Sequence, residues 1–318
     1  MKAYQPIDFS QLKTYSLHDR TSKVSVDDFA GTPASGMMVK DLLALLPNQL
    51  MGKDFPELVR RVIDSRLSDC PVIVGMGAHV IKVGLTPVLI KLMEEKIITG
   101  LAFNGACIVH DTETAIAGMT SEDVDEVLGT GDFGAAKETG EFINEAIING
   151  ARLNKGIGES VGDAIIASNF KYSELSLLAA ARRLQIPVTV HVAVGTDIIH
   201  IHPSACGASI GKGSHIDFRL FCSMIADLEG GTYLNIGSAV LLPEIFLKAL
   251  TAVRNLGHQV NKLTTANFDF IRQYRTMTNV VNRPTACGGK GFNITGHHEL
   301  MIPLLACALL DELSLRTG

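Results

Sequence analysis

Polar, titratable side chains gather just after apolar runs that are typical of parallel β-strands. The side chains that follow the runs at residues 71–75, 97–103 and 187–194 are His79, His110, Asp197, His200 and His202. In open α/β sheets, ligands bind in the crevice outside the carboxyl ends of the strands. Because histidine titrates near neutral pH and aspartate accepts hydrogen bonds, we expect a small-molecule site at that edge of the sheet.

Strand and helix patterns alternate along the chain. Strands are predicted at 71–75, 97–103, 187–194, 231–236 and 261–267, with amphipathic helices between them. This alternation predicts the α/β class, a doubly wound, Rossmann-like parallel sheet of about six strands with right-handed crossovers. We expect residues 1–66 to form an N-terminal helical extension and residues 67–318 to form the dinucleotide-binding α/β domain.

Composition excludes several classes of protein. The 318 residues are 47% hydrophobic and only 6% aromatic, as suits a sheet covered on both faces by helices. The net charge of −5 argues against nucleic-acid binding through a basic face. The most apolar stretch, 300–310, is far shorter than the roughly twenty residues that span a bilayer, so no membrane partner is expected. Six scattered cysteines without a C-x-x-C pair favour a reduced, cytoplasmic protein.

Two glycine-rich strings resemble phosphate-binding loops. Gly129, Gly131 and Gly134 match G-x-G-x-x-G, but they follow an acidic helical segment rather than a strand, which favours a helix-breaking loop. Residues 207–214 miss the spacing of a P-loop. They precede a helix predicted to begin at His215, so they could hold an anion through backbone amides or form a surface loop.

Metal, thiol and amine chemistry are also open to this sequence. The zinc ligands of a metal-dependent hydrolase could be Asp197, His200, His202, His297 and His298. Cys107 could be a nucleophile or a small buried side chain. Lys82 and Lys290 lie in apolar or glycine-rich surroundings, where a lowered pKa would make a lysine an amine nucleophile or Schiff-base former, and Lys290 is the better candidate.

The ordered set of these motifs resembles the deoxyhypusine synthase family, from about residue 71 to residue 310. The segment 75–84 is similar to the family's first NAD-binding segment, and the segment 104–106 to its Thr-Ala-Gly turn. The segment 131–134 resembles its Gly-Glu/Asp-Phe segment. The turn 235–238 and the segment 296–305, with its closing Pro-Leu-Leu, resemble the family's later glycine turn and its terminal helix.

The resemblance implies that NAD is the cofactor. The residues it places at the dinucleotide are Gly77, Ala78, His79, Lys82, Asn104, Gly105, Ala106, Asp197, Gly237, Ser238, His297 and His298. Asp197 would bond a ribose hydroxyl, and the glycine turns would let backbone amides approach the phosphates. The resemblance also implies that Lys290 stands for the imine-forming lysine, and that the chain forms a homotetramer with sites at subunit interfaces.

Departures from the family pattern argue against deoxyhypusine synthesis itself. Val109 and His110 replace paired glutamates, Glu244 stands near the family's Lys-His-His, and tryptophan is absent. We therefore expect an NAD-dependent transferase or oxidoreductase that acts on an amine or another small polar metabolite less cationic than spermidine. His110 would be the general base or substrate anchor. Further substrate contacts are predicted at Asp111, His200, His202 and Glu244. The alternatives are a non-catalytic NAD-binding protein and the metal-dependent hydrolase.

Overall fold

The computed structural model describes residues 2–317 and contains one six-stranded sheet. The strands are β1 (Val72–Met76), β2 (Gly100–Asn104), β3 (Val188–His191), β4 (Thr232–Ile236), β5 (Thr264–Asp269) and β6 (Lys290–Thr295). Every neighbouring pair is parallel, and the spatial order is β3-β2-β1-β4-β5-β6. The α/β class and the doubly wound parallel sheet are therefore confirmed.

Helices cover both faces of this sheet. They are α1 (Val39–Ala44), α2 (Leu50–Leu67), α3 (His79–Lys82), α4 (Thr86–Glu94), α5 (Gly105–Ala117), α6 (Val124–Val127), α7 (Lys137–Arg152), α8 (Ile157–Ser168), α9 (Leu177–Arg183), α10 (Gly207–Ala226), α11 (Leu241–Asn255), α12 (Tyr274–Thr276) and α13 (His298–Thr317). A π-helical turn, Met277–Asn282, follows α12. No helix within residues 2–317 has the length and apolar character that crossing a bilayer requires.

Alternation along β1 explains why the core is divided in two. Val72 and Val74 belong to a large apolar cluster with α2, α4, α5 and α13, whereas Ile73 belongs to a second cluster with α10 and α11. Successive side chains of a strand point to opposite faces, so each cluster fills one face of the sheet. β1 is a central strand, because it pairs with β2 on one side and β4 on the other, and all five of its residues are buried.

Five of the strands lie within three residues of the predicted runs, but the position of the sixth was missed. β6 is an edge strand in which only Phe292 and Ile294 are buried, so its sequence lacks the continuous apolar run of an inner strand. The N-terminal side of the chain is divided. Residues 2–27 are exposed, whereas α2 buries Phe55, Leu58 and Val62 in the larger cluster.

Both glycine-rich strings have a structural explanation. The first forms the single 3-10 turn Leu128–Thr130 after α6 and does not connect a strand to a helix, in agreement with the helix-breaking interpretation. The second is not a loop: residues 207–214 are the first two turns of α10, so this helix begins eight residues before the predicted start at His215.

Candidate active site

The strand order reverses between β1 and β4, and two glycines follow these strands at the reversal. Gly77 N donates to Ile236 O at 3.0 Å, and Gly237 N donates to Phe268 O at 3.0 Å. A Cβ on Gly77 would overlap the carbonyl oxygen of Gly237, and Gly237 has a left-handed φ of +66°. Only glycine accommodates both the close approach and this backbone conformation. The two glycines therefore keep the mouth of the crevice open at its centre.

A buried histidine lies against this pair of glycines. His298 begins α13 and is 1% exposed, and a Cβ on Gly237 would lie 2.8 Å from its ring. Its Nε2 lies 3.2 Å from Phe268 O; because a carbonyl only accepts, Nε2 carries the proton. The other ring nitrogen, Nδ1, is buried without a partner. The reversal point thus presents an unpaired acceptor that a ligand donor could satisfy.

An aromatic cluster surrounds His298. The ring centroids of His79 and His298 are 5.5 Å apart, and Phe270 lies 6.2 Å from His79. His297 stacks parallel to Phe270 at 6.3 Å. Burial lowers the pKa of His79, and the neighbouring His298 lowers it further. At neutral pH this side of the crevice therefore presents a neutral His79 within a mostly aromatic surface.

On the other side of the reversal, a cavity of about 200 Å³ opens beside β2 and β3. Its lining residues are Lys82, Ala106, Val109, His110, Glu113, Ser121, Glu122, Val124, Phe133, Thr196, Asp197 and Ile198. These residues come from α3, from α5, from the segment after α5, and from the loop after β3. The structure thus brings Lys82, Ala106, His110 and Asp197 into one cavity, although they come from three separate segments of the chain.

Asp197 is held against the start of α5. Its carboxylate lies where a Cβ on Gly105 would be, and Oδ2 is buried without a hydrogen-bond partner. Burial raises the pKa of Asp197, and the nearby His200 opposes this shift. Orphaned buried carboxylate oxygens are costly, so this oxygen is suited to receive a donor from a ligand. Glycine is therefore required at position 105 because any side chain there would overlap the Asp197 carboxylate.

His200 supports the loop that carries Asp197. Its Nδ1 accepts from Gly195 N at 3.1 Å and from Asp197 N at 3.2 Å. Because Nδ1 accepts, the proton lies on Nε2, which is buried without a partner. His202, two residues later, turns away: its ring packs where a Cβ on Gly140 of α7 would lie, and its Nδ1 contacts Ser204 Oγ at 2.7 Å.

Several of the predicted binding residues form the turns at the carboxyl edge. Ala78 immediately precedes α3, and Asn104 caps α5 by accepting from Cys107 N at 3.1 Å. Ser238 Oγ accepts from Leu242 N at 3.2 Å near the start of α11, and its carbonyl accepts from the Asn235 side chain at 2.9 Å. These side chains stabilise the turns from which the site residues project.

Two acidic residues of the cavity were missed by the sequence analysis. Glu113 lies three residues after His110 on α5, on the same helix face. Glu122 follows in the next segment and accepts from Gly134 N at 2.9 Å. The helical spacing of His110 and Glu113 was a usable signal, whereas nothing in the sequence placed Glu122. Together with Asp197 they give the cavity three carboxyl groups against the single Lys82.

Asp111 has a structural role instead of facing substrate. It is fully buried, and its oxygens accept from Ser176 Oγ at 2.6 Å, Leu177 N at 2.8 Å and Leu178 N at 3.2 Å. Burial raises its pKa to about 6 against these hydrogen bonds. Asp111 thus holds the first turn of α9 to α5. It does not face the cavity with its neighbour His110, because adjacent residues on a helix point in different directions.

Lys290 and Glu244 are not brought into the cavity. Lys290 is the first residue of β6, is exposed, and pairs with Thr264 at the start of β5, so it lies at the amino edge of the sheet. Of the glycines around it, Gly288 and Gly289 precede β6 and Gly291 lies within it. Glu244 Oε1 accepts from Asn279 at 3.0 Å and lies 3.4 Å from Arg275. Neither Lys290 nor Glu244 lines the cavity that contains His110 and Asp197.

The residues offered for metal or thiol chemistry are separated. Within residues 2–317, no group of three or more His, Cys, Asp and Glu side chains is arranged to hold a metal ion. His202 packs on α7 and His297 on Phe270, away from Asp197. Cys107 is fully buried, its thiol donates to Met76 O at 3.4 Å, and burial raises its pKa, as expected for a packing residue.

Comparison with known proteins connects this architecture to solved structures. A conserved putative LOR/SDH protein from Methanococcus maripaludis S2 matches with a TM-score of 0.53 and 16% identity, over 82% of this chain and 70% of that chain. A putative deoxyhypusine synthase from Entamoeba histolytica matches with a TM-score of 0.51 and 11% identity, over 87% and 94%. This chain has the deoxyhypusine synthase-like fold.

A third similar structure is ArgZ, an arginine dihydrolase from the ornithine-ammonia cycle in cyanobacteria, with a TM-score of 0.50 and 13% identity. The match covers 82% of this chain but 32% of that one, so this chain corresponds to about a third of ArgZ. No protein-family model and no curated protein matches the sequence. The predicted resemblance is thus confirmed for the fold, whereas the activity has to be inferred from the residues of the site.

Proposed function

We propose that the protein is an NAD-dependent enzyme that acts on a small amine. The observation that carries this proposal is the reversal of strand order between β1 and β4, flanked by the buried, unpaired acceptors Asp197 Oδ2 and His298 Nδ1. The order 3-2-1-4-5-6 is the one in which dinucleotides bind across the reversal. Unpaired buried acceptors are rare in folded proteins and mark places where a ligand or water completes the hydrogen bonding.

The residues at the crevice fit a dinucleotide. Ribose hydroxyls are donors that Asp197 Oδ2 could accept, and Gly77 and Gly237 leave no side chain between the ends of β1 and β4. His298 would accept a further donor through Nδ1. A nicotinamide, when bound, supplies the hydride acceptor or donor of the reaction. The protein's own part is to bind, orient and exchange protons.

The cavity beside the crevice would hold the substrate. Its volume of about 200 Å³ suits a small metabolite, and its three carboxyl groups face one lysine. This balance favours a cationic amine among the small polar metabolites expected from the sequence. Burial lowers the pKa of His110, so its imidazole is neutral near pH 7 and available as a general base. Lys82 would orient any anionic part of the substrate.

A thermal-shift titration with NAD tests the cofactor. A ligand that binds only the native state stabilises it by RT ln(1 + [L]/Kd), about 2.7 kcal/mol at a hundredfold excess over Kd. We expect a saturable rise in Tm for the wild type and for Lys290→Ala, and a much weaker response for Asp197→Ala. No rise for the wild type would sink the proposal.

Turnover then distinguishes an enzyme from a binding protein. A panel of small amines and amino acids is incubated with NAD, and NADH is followed by absorbance. Reduction of NAD with at least one amine is expected. Saturable NAD binding without turnover of any amine would instead favour the non-catalytic NAD-binding protein.

We also propose that copies of the chain associate at the carboxyl edge, as one interface of a homotetramer. Large apolar side chains are exposed there: Val194, Val240, Phe270, Ile271 and Tyr274. Large apolar side chains exposed at the same edge support an interaction site there. Light scattering on the purified protein tests this, with Tyr274→Asp expected to shift the mass toward the monomer. A monomeric wild type would contradict it.

A further inference from the structure

Three side chains form a hydrogen-bonded series that ends at the substrate cavity. His110 Nδ1 lies 2.6 Å from Thr120 Oγ1, and Thr120 Oγ1 lies 2.5 Å from Glu113 Oε2. His110 and Glu113 both line the cavity, and their closest N and O atoms are 3.9 Å apart. The hydroxyl of Thr120 therefore connects the imidazole to the carboxylate.

The direction of each proton follows from what each group can donate. An ionised carboxylate only accepts, so the single hydroxyl proton of Thr120 is donated to Glu113. The Thr120 oxygen then accepts, and its partner, His110 Nδ1, must carry the proton. In the neutral imidazole the remaining nitrogen, Nε2, is left as an acceptor. The series thus selects the Nδ1–H tautomer of His110.

Local structure explains how Thr120 reaches back to α5. The helix ends at Gly118, whose left-handed φ of +69° turns the chain and brings residues 119–121 back along the helix. A Cβ on Gly118 would also lie 2.7 Å from the Tyr172 ring. From the other side, Thr139 of α7 donates to Glu113 Oε1 at 3.1 Å. Both carboxylate oxygens are therefore fixed by hydroxyl donors.

We propose that Glu113 and Thr120 are positioning residues that make His110 Nε2 the proton acceptor of the reaction. This inference rests on the proposed function. When the substrate ammonium or hydroxyl group loses its proton, that proton is taken up by Nε2. The positive charge that appears on the imidazole is then balanced by Glu113 through Thr120. A carboxylate that fixes a histidine tautomer and stabilises its imidazolium does the same in hydrolase triads.

The acid–base behaviour of His110 depends on all the charges around it. Burial lowers the pKa of His110, Glu113 raises it, and Lys82 lowers it again. The other charged groups on elements packed around this cavity and the one next to it are Glu122, Glu138 and Asp197. Replacing Glu113 by glutamine removes the one nearby group that raises the pKa, so the acid limb of a pH–rate profile should move to lower pH.

NMR of ¹⁵N-labelled histidine tests the tautomer without any substrate. The resonances of His110 are assigned by comparison with His110→Gln. The wild type should show the Nδ1–H tautomer, and Thr120→Val should shift the population toward Nε2–H. Thr120→Ser keeps the hydroxyl and should behave as the wild type. Thr114→Val is the matched control, because that hydroxyl bonds the backbone carbonyl of His110 and leaves the ring alone.

Activity measurements complete the test once an amine substrate is found. We expect Glu113→Gln and Thr120→Val to lower kcat about tenfold to a hundredfold, because part of the general-base catalysis is lost. Thr120→Val, which removes no charge from the cavity, should leave KM little changed. Thr120→Ser should recover most of this loss. A wild-type imidazole in the Nε2–H form would overturn the inference even in an active enzyme. The Nδ1–H form in a protein without turnover would instead overturn the proposed function and leave the series intact.

Discussion

The two edges of the sheet both carry cavities, but they differ in the hydrogen bonding of the buried side chains beside them. The cavity at the amino edge, of about 470 Å³, is the larger of the two. Both this cavity and the carboxyl-edge cavity, of about 200 Å³, are lined by apolar and charged side chains. Among the buried side-chain atoms in residues 2–317 that lack hydrogen-bond partners, four belong to residues at or next to the carboxyl edge (Asp197, His200, Asn235 and His298), four lie elsewhere in the helices and the core, and none belongs to a residue that lines the amino-edge cavity.

This difference teaches that volume alone does not locate a site. A gap between apolar side chains costs some packing energy but does not favour any particular ligand. A buried acceptor without a donor carries a desolvation cost that a correctly shaped ligand relieves. Because every parallel strand leads into its loop on the same side, residues of different loops meet at that edge and can bind one ligand together. The predictions below compare the two edges.

The largest expected effect is the loss of the base. His110→Ala should lower kcat by about 10² to 10⁴, since general bases contribute rate factors of this size, and should leave NAD binding unchanged. The matched change at the amino edge, Met224→Ala, should lower the free energy of unfolding by about 1–2 kcal/mol and leave kcat within about twofold. Equal losses of kcat in both variants would remove the distinction between the edges.

Alanine substitutions at two glycines distinguish the effect of backbone strain from the effect of a side chain placed in the crevice. Gly237 and Gly257 both have left-handed φ, but a Cβ on Gly237 meets the His298 ring, whereas a Cβ on Gly257 meets open space. Gly257→Ala should cost about 1 kcal/mol of unfolding free energy through strain alone. Gly237→Ala should cost about 1–3 kcal/mol and weaken NAD binding at least tenfold. Unchanged NAD affinity in Gly237→Ala would contradict the placement of the cofactor.

Asp111 and Asp197 are both buried, but the Asp111 oxygens have hydrogen-bond partners whereas Asp197 Oδ2 has none. Comparing the two tests whether the unpaired oxygen binds NAD. The native pKa of Asp111 is about 6, above its ordinary value of 3.8, so native protein holds a proton that unfolded protein releases. The contribution of Asp111 to stability therefore falls as pH rises from about 4 to about 6. Relative to Asp111→Asn, the wild type should lose about 1–2 kcal/mol across this window, measured by denaturant unfolding. NAD binding should persist in folded Asp111→Asn and be lost in Asp197→Asn.

The smallest effect is expected at the exposed Lys290. Lys290→Ala should change the free energy of unfolding by less than about 0.5 kcal/mol, as is usual for surface substitutions. Its kcat and NAD affinity should equal those of the wild type. A tenfold fall in kcat would restore Lys290 to the site and would require a neighbouring copy of the chain to bring it there.

The sequence predicted those parts of the molecule that depend on local pattern. Inner strands such as β1 are continuous apolar runs because both faces are covered, so their positions were found. The edge strand β6 lacks such a run and was not predicted, so the sequence did not reveal that Lys290 lies at the amino edge. The position of Glu113 beside His110 could have been predicted from helical spacing. The position of Thr139 could not, because its contact with Glu113 joins α5 to α7 across 26 residues and depends on tertiary packing.

The exposed segment before α1 has a practical consequence for handling the protein. Lys13, Arg20 and Lys23 all lie there on the surface, upstream of Asp28, whose carbonyl accepts from Asn48 N and ties the chain to the body of the molecule. Exposed basic residues of this kind are ready cleavage points for trypsin. Brief digestion should therefore trim the first two dozen or so residues and leave a shorter polypeptide that still responds to NAD, a convenient starting point for crystallisation.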